Sequence, residues 1–178
     1  KKNMIKLENI IVDSKSGYSG AGRGVHKTYA KKNLYHSLKA YGVGFHRHNS
    51  EIEQEIIKYT KKKKMNITFT PHLSPMFKGI LSTIYFESSN GNSLKAINNL
   101  LKKTFAKKKF VKIKKMNSYL STNDVINTNE CHISVCKTKY KNKYIILSAL
   151  DNLIKGGSGQ AVQNMNIKFS LPESRGLI

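Results

Sequence analysis

Two apolar-rich runs, CHISVCK at 131–137 and KYIILSAL at 143–150, are separated only by residues 138–142. A parallel return within one sheet needs a crossover of about a dozen residues or more, so strands this close can only run antiparallel. The same limit acts earlier, where MNITFTP and GILSTIYFE flank the loop PHLSPMFK. ENIIVD, beginning at Glu8, and KFVKIK, beginning at Lys109, read as further strands, and VGFHR at 43–47 as a short one. Helical patterns interrupt this series. Ser50 followed by Glu53 makes a capping box ahead of Ile52, Ile56, Ile57 and Tyr59, and the lysine run 61–64 with Asn66 ends that helix. Ser93 caps a second helix whose apolar stripe is Leu94, Ile97, Leu100, Leu101 and Phe105. GGSGQAVQNMNIKFS then reads as a glycine-rich turn opening a third. Strands broken by few helices and joined this tightly define an α+β domain with a mixed sheet. Residues 25–41 lack a clean period and are expected to be irregular or partly helical.

A length of 178 residues is one domain or slightly more, and 39% hydrophobic residues suffice for a packed core. Cys131 and Cys136 stand an odd number of residues apart in one strand, hence on opposite faces, and cannot pair with each other. That usage fits a reducing cytosol, and the expected location is cytoplasmic. No run approaches the roughly 20 apolar residues that span a bilayer, so no membrane role is expected. The opening KKNMIKLENIIV has neither a signal peptide's apolar core nor an initiator methionine, and it leads straight into a strand. The chain is therefore expected to be a fragment.

A formal charge of +22 invites a nucleic-acid reading, but only Arg23, Arg47 and Arg175 of the 32 basic residues are arginines. The lysines are spread along the chain without one confined stripe, which implies solvated charge and nonspecific polyanion binding. All three arginines fall in glycine- or histidine-rich segments, where a planar five-donor group is hard to replace by lysine.

Four segments carry candidate chemistry. GYSGAGRG follows a strand, but Val25 stands where a dinucleotide fingerprint needs its third glycine. Its exposed amides and Arg23 can approach an anion, or the segment is a structural turn. In GFHRHNSEIEQ, His46 and His48 share a side if extended, a spacing unlike the helical i, i+4 pair that holds zinc, and no metal is expected. A structural histidine or an acid–base pair remains. A helix N-terminus disfavours added positive charge, which biases a nearby imidazole toward its neutral, proton-accepting form, and Glu51 can orient one ring or complement the helix dipole. His72 lies between Pro71 and Pro75 and is as readily structural as functional, while Lys78 is an anion contact or merely exposed. DNLIKGGSGQAVQNMN presents Asp151, Asn152 and Lys155 before amides that can receive a phosphate or carboxamide.

Taken in order, SKSGYSGAGR, YGVGFHRHNSEIEQ, FTPHLSPMFKGILSTIY, LDNLIKGGSGQAVQNMN and ESRGL resemble the N-acetyl-gamma-glutamyl-phosphate reductase family from about residue 10 to 178. The resemblance implies a mixed, largely antiparallel sheet with helices packed on one face, of the catalytic and dimerisation type found in semialdehyde and glyceraldehyde-phosphate dehydrogenases. Residues 1–150 would form that domain. Residues 151–178 would pack against an amino-terminal, NADP-binding Rossmann domain absent from this sequence, together with its Asn-Pro-Gly-Cys nucleophile. For the whole enzyme it implies NADPH-dependent reduction of N-acetylglutamyl 5-phosphate to the 5-semialdehyde in arginine biosynthesis, through a cysteine thioester, in a homo-oligomer (dimer or tetramer). His48 matches the acid–base histidine, and His46 supports it. Ser16, Gly17, Arg23, Tyr41, Arg47 and Lys78 are the implied substrate contacts, and Asn152, Gly159 and Gln160 the implied cofactor contacts. Lys78 stands where relatives carry arginine, and GGSG where they carry GAAG.

By the same resemblance the fragment is inactive alone. The alternatives are a lysine-rich polyanion or nucleic-acid-binding module and a decayed split-gene product. A solvated-lysine surface makes duplex DNA affinity fall about a hundredfold or more between about 50 and 200 mM salt, without sequence preference. Sequence-selective binding that survives the higher salt in a filter-binding titration would restore the nucleic-acid module.

Overall fold

The structure, a computed structural model, describes residues 4–21, 36–60 and 66–177. Seven strands form one sheet: β1 Ile10–Gly17, β2 Lys39–Ala40, β3 Ile67–Ser74, β4 Ile80–Glu87, β5 Val111–Ile113, β6 Cys131–Lys137 and β7 Lys143–Leu150. Their spatial order is β2-β3-β1-β4-β7-β6-β5. The pairs β1–β3 and β5–β6 are parallel and the other four antiparallel; of the two close-spaced sets, β6 and β7 pair directly, whereas β3 and β4 run in opposite directions with β1 between them. Three α-helices accompany the sheet: α1 His48–Lys58, α2 Leu94–Phe105 and α3 Gly159–Lys168.

Alternation assigns each strand two faces. Ile10 and Val12 of β1, Ile84 and Phe86 of β4, Tyr144 and Ile146 of β7 and Val135 of β6 point to the same side. Helices α1 and α2 cover that side, sending Ile56 and the stripe Leu94, Ile97 and Leu101 into one apolar cluster. Cys131 lies on the core face and Cys136 on the other, both as free thiols. Ser93 caps α2 as its position predicts, its hydroxyl accepting the Ala96 amide at 3.2 Å. The opposite sheet face carries exposed Ile11 and Tyr85. It also carries Asp13, whose carboxylate meets Lys15 Nζ at 2.8 Å and His72 Nδ1 at 3.1 Å.

Three local expectations are corrected. The chain 43–47 is a turn rather than a strand, with Gly42 and Gly44 at φ of +57° and +78°. Helix α1 begins at His48, so Ser50 lies inside its first turn and donates to the Arg47 carbonyl at 3.0 Å instead of capping. PHLS is not loop but the end of β3, even though Pro71 has no amide to pair. The Pro71 carbonyl accepts the Tyr41 amide, so this residue's backbone faces β2, which pairs only at Leu73 and His72. The missing donor therefore falls beside the sheet's sparsely paired edge, where proline is tolerated.

Ile97 is 4% exposed at the centre of the apolar cluster. Ile97→Ala should cost about 2–5 kcal/mol in urea unfolding, from lost burial plus the cavity left behind. A loss under about 1 kcal/mol would mean that α2 does not seat there as described.

Candidate functional site

The sheet face that carries the core at one end opens at the other into a cavity of about 820 Å³. The cavity lies where strand ends, the 41–48 turn and the segment after β7 converge. From the sheet come Val12, Ser14 and Ser16, then Phe69, Pro71 and Leu73, then Ile80 and Ser82, and finally Leu150. Tyr41, His46, Arg47, His48 and Ile52 close one side, and Gly20, Asn152 and Gly156 another.

The histidine pair is built by the turn and not by an extended strand. Glycines in the left-handed region reverse the chain at 42–44, a conformation disfavoured for residues with a Cβ. The reversal stacks His46 edge-on against Tyr41, Phe69 and His48, with ring centroids 5.4, 5.4 and 4.7 Å away. His46 Nδ1 accepts the His48 amide at 3.2 Å. An imidazole thus caps one of the orphan amides at the start of α1, a task the sequence pattern gives to Ser50. An accepting Nδ1 carries no proton, which leaves Nε2–H as the ring's donor. Burial lowers the His46 pKa from the ordinary 6.5, His48 and Arg47 lower it further, and Glu51 partly opposes them. His48 is half-exposed, its Nε2 4.0 Å from Glu51 Oε2. Burial raises the Tyr41 phenol above 10.0, Arg47 opposing, so the phenol stays a neutral donor.

Asn152 fixes the far wall. Its Oδ1 accepts the Gly79 amide at 2.7 Å, and its Nδ2 donates to Ser19 Oγ at 3.0 Å. Asp151, fully buried, accepts the amides of Asn127, Leu153 and Ile154 at 2.7–3.0 Å. These bonds shape the π-helical turn Ile154–Ser158 that brings Gly156 to the cavity margin.

Of the residues singled out in the sequence, Ser16, Tyr41, His46, Arg47, His48 and Asn152 line this one cavity. Gly17 stands behind it, where a Cβ would come within 2.5 Å of the Phe77 carbonyl oxygen. Lys78 lies outside the lining and donates to Asn127 Oδ1 at 2.8 Å. Gly159 is packed against Asn129 and Ile154, and Gln160 donates to Asn164. Arg23 is outside the described residues. His72 belongs to the opposite face with Asp13. Residues passed over are Ser14 and Ser82, whose hydroxyls meet at 2.7 Å, while Gly20 and Gly156 come from the two glycine-rich segments already singled out. The legible signal for the serines was polar residues at inward positions of otherwise apolar strands.

Neither cysteine lines the cavity, and burial raises the Cys131 thiol above 9.0, away from nucleophilic character, with Ser148 and Lys155 opposing. Among the described residues no cluster of three His, Cys, Asp or Glu could hold a metal. No helix among them is long and apolar enough to cross a membrane. For a nicotinamide, the fitting feature is the margin at Gly156 and Gly157. Both glycines are exposed, a Cβ at Gly156 would make ordinary contacts of 3.4–4.0 Å with Leu150, Asp151 and Asn152, and Gly157 takes a non-helical conformation. Asn152, by contrast, already has both ends of its carboxamide engaged.

Residues 1–152 match the semialdehyde dehydrogenase dimerisation domain. N-acetyl-gamma-glutamyl-phosphate reductase of Halothermothrix orenii is 41% identical over 176 residues, covering 99% of this chain and 51% of that protein. A probable chloroplastic N-acetyl-gamma-glutamyl-phosphate reductase of Arabidopsis thaliana is 42% identical over 178 residues, 100% of this chain and 44% of that one. This chain thus spans about half the length of the curated relatives it matches. Aspartate semialdehyde dehydrogenase II of Vibrio cholerae, in complex with ASA, shares the fold at a TM-score of 0.69 and 15% identity, over 92% of this chain and 56% of that one.

The His46 imidazole should titrate below 6.5 in an NMR pH series, and Glu51→Gln should move it lower still, because the removed carboxylate favours the charged ring. An ordinary midpoint, or an upward move in the variant, would contradict the geometry of the pair.

Proposed function

Because the chain belongs to the semialdehyde dehydrogenase dimerisation-domain family, we propose that it is the catalytic and dimerisation half of an N-acetyl-gamma-glutamyl-phosphate reductase. The observation that carries this reading is the meeting of His46, Arg47 and His48 at the mouth of one cavity in a chain about two-fifths identical to enzymes of that name. The whole enzyme would convert N-acetylglutamyl 5-phosphate to the 5-semialdehyde and phosphate, in the cytoplasm, as a homo-oligomer.

His48 is the acid–base group. It is among the residues lining the cavity, and Glu51 stands 4.0 Å from its Nε2, near enough to favour one orientation without forming a tight ion pair. It would take the proton of a thiol supplied by an amino-terminal half, and return a proton to the carbonyl oxygen as negative charge develops there. Arg47 would grip phosphate oxygens with its planar fork, joined by Arg23 from the segment outside the described residues. Tyr41, held neutral, would donate to the same anion, as would Ser16 on turning its hydroxyl from the Gly17 carbonyl, and Gly17 would let the strand end approach Phe77 so that Ser16 is presented. Lys78 would first have to leave Asn127.

NADP, when bound, supplies the hydride. This chain would meet it at the Gly156–Ser158 margin, with Asn152, Gly159 and Gln160 holding that turn and the start of α3 in shape. The bulk of the dinucleotide would rest on the amino-terminal half. Segment 151–178 would pack against the same half through Met165, Ile167 and Phe169, all exposed here.

In the full-length enzyme, His48→Ala should lower kcat/KM by about 10²–10⁴-fold and remove one limb of the pH–rate profile. NADPH affinity should stay near wild type. Wild-type turnover in that variant would take His48 out of the chemistry.

A further inference from the structure

Two directly opposed residues, Ser14 of β1 and Ser82 of β4, interrupt the apolar series that Val12 and Ile84 begin on the same sheet face. Their hydroxyl oxygens lie 2.7 Å apart, and Ser14 is only 7% exposed. Two hydroxyls carry two donors, and one is used between them, so the pair keeps one O–H for a ligand. Around it stand Val12, Ile80, Leu150 and Phe69.

Charge is distributed unevenly over this cavity. Arg47 and both imidazoles are at one side, while the floor is neutral. Among the described lining residues there is no carboxylate at all. Glu51 lies outside the lining, its side chain 70% exposed, and Asp13 is on the opposite sheet face with Lys15 and His72. A free ammonium brought onto that floor would lose its hydration and find no counter-charge, which is costly. A neutral acylamino group sheds water more cheaply, offers a carbonyl to the spare hydroxyl and lays its methyl against apolar walls.

We propose that the Ser14–Ser82 pair, set in this uncharged floor, is the specificity-determining contact for an acylated amino group. It donates to the acyl oxygen, and the floor rejects the corresponding free amine. The assignment rests on the function proposed above only in taking an amino-acid derivative as the ligand. Oxyanions bind at the cationic side and the acyl cap at the sheet, which also fixes which way round the ligand enters.

A serine pair can instead be a cross-strand contact with no ligand role, and the two cases separate by measurement. The probes are N-acetyl-L-glutamate and L-glutamate, titrated calorimetrically into the full-length protein. Wild type binds the acetylated ligand at least about tenfold more tightly, and the double variant Ser14→Ala/Ser82→Ala weakens that ligand alone, by about three- to tenfold, as expected for one neutral hydrogen bond. Each single variant retains one hydroxyl and most of the preference. Ser82→Asp, which places an anion on the floor, shifts the preference toward L-glutamate. Equal affinities in wild type overturn the proposal, as does an undiminished preference in a double or Asp variant that still unfolds cooperatively. Discrimination by a protein without reductase activity overturns the function above and leaves this contact standing. Turnover without discrimination does the reverse.

Discussion

Asp151 and Asn152, the residues that follow the last strand, hold the cavity's far wall together. A fully buried carboxyl takes three backbone amides from two separate segments. The neighbouring carboxamide ties the entry of β4 to the turn after β1. Burying such groups is favourable only when every polar atom is matched, and here the partners are mostly main chain. The geometry of four loops is thereby referred to one point on the sheet. Gly156 faces the cavity because the turn bearing it has its amides anchored below, with the Gly156 amide itself on the Asp151 carbonyl at 2.8 Å.

Much of the framework could be read from connection lengths and alternation. Residues 138–142 leave no room for a crossover, and β6 and β7 pair antiparallel accordingly. The Ser93 cap and the α2 stripe are local signals with local causes, and they hold. What escaped depends on partners distant in sequence. Pro71 continues a strand because its nitrogen faces an edge that only β2 touches, which no window around Pro71 reveals. Helix α1 is a local exception: it starts at His48, whose amide the His46 imidazole accepts two positions before Ser50.

The candidate site was legible where several unusual residues crowd together, as in the HRH segment, and opaque where ordinary residues acquire meaning by placement. Ser14 and Ser82 are 68 positions apart and unremarkable singly; register makes them neighbours. Lys78 has the charge for an anion contact, and here its ammonium donates to Asn127. Of the arginines, Arg47 lines the cavity, Arg175 does not, and Arg23 lies outside the described residues. The lysines of the α2–β5 region lie elsewhere, Lys102, Lys108, Lys109 and Lys112 around a separate surface depression.

One sheet face serves both the apolar core and the floor of the cavity, with only strand position separating them. Inheritance acts on the two together. A lineage drifting toward a new metabolite would be altering side chains one or two pleats from Ile10, Ile84 and Phe86, so each trial of altered chemistry is also a trial of foldability. Novelty is cheaper at the 41–48 turn, which reaches the same cavity from outside the sheet and can be rewritten without disturbing what the strands enclose.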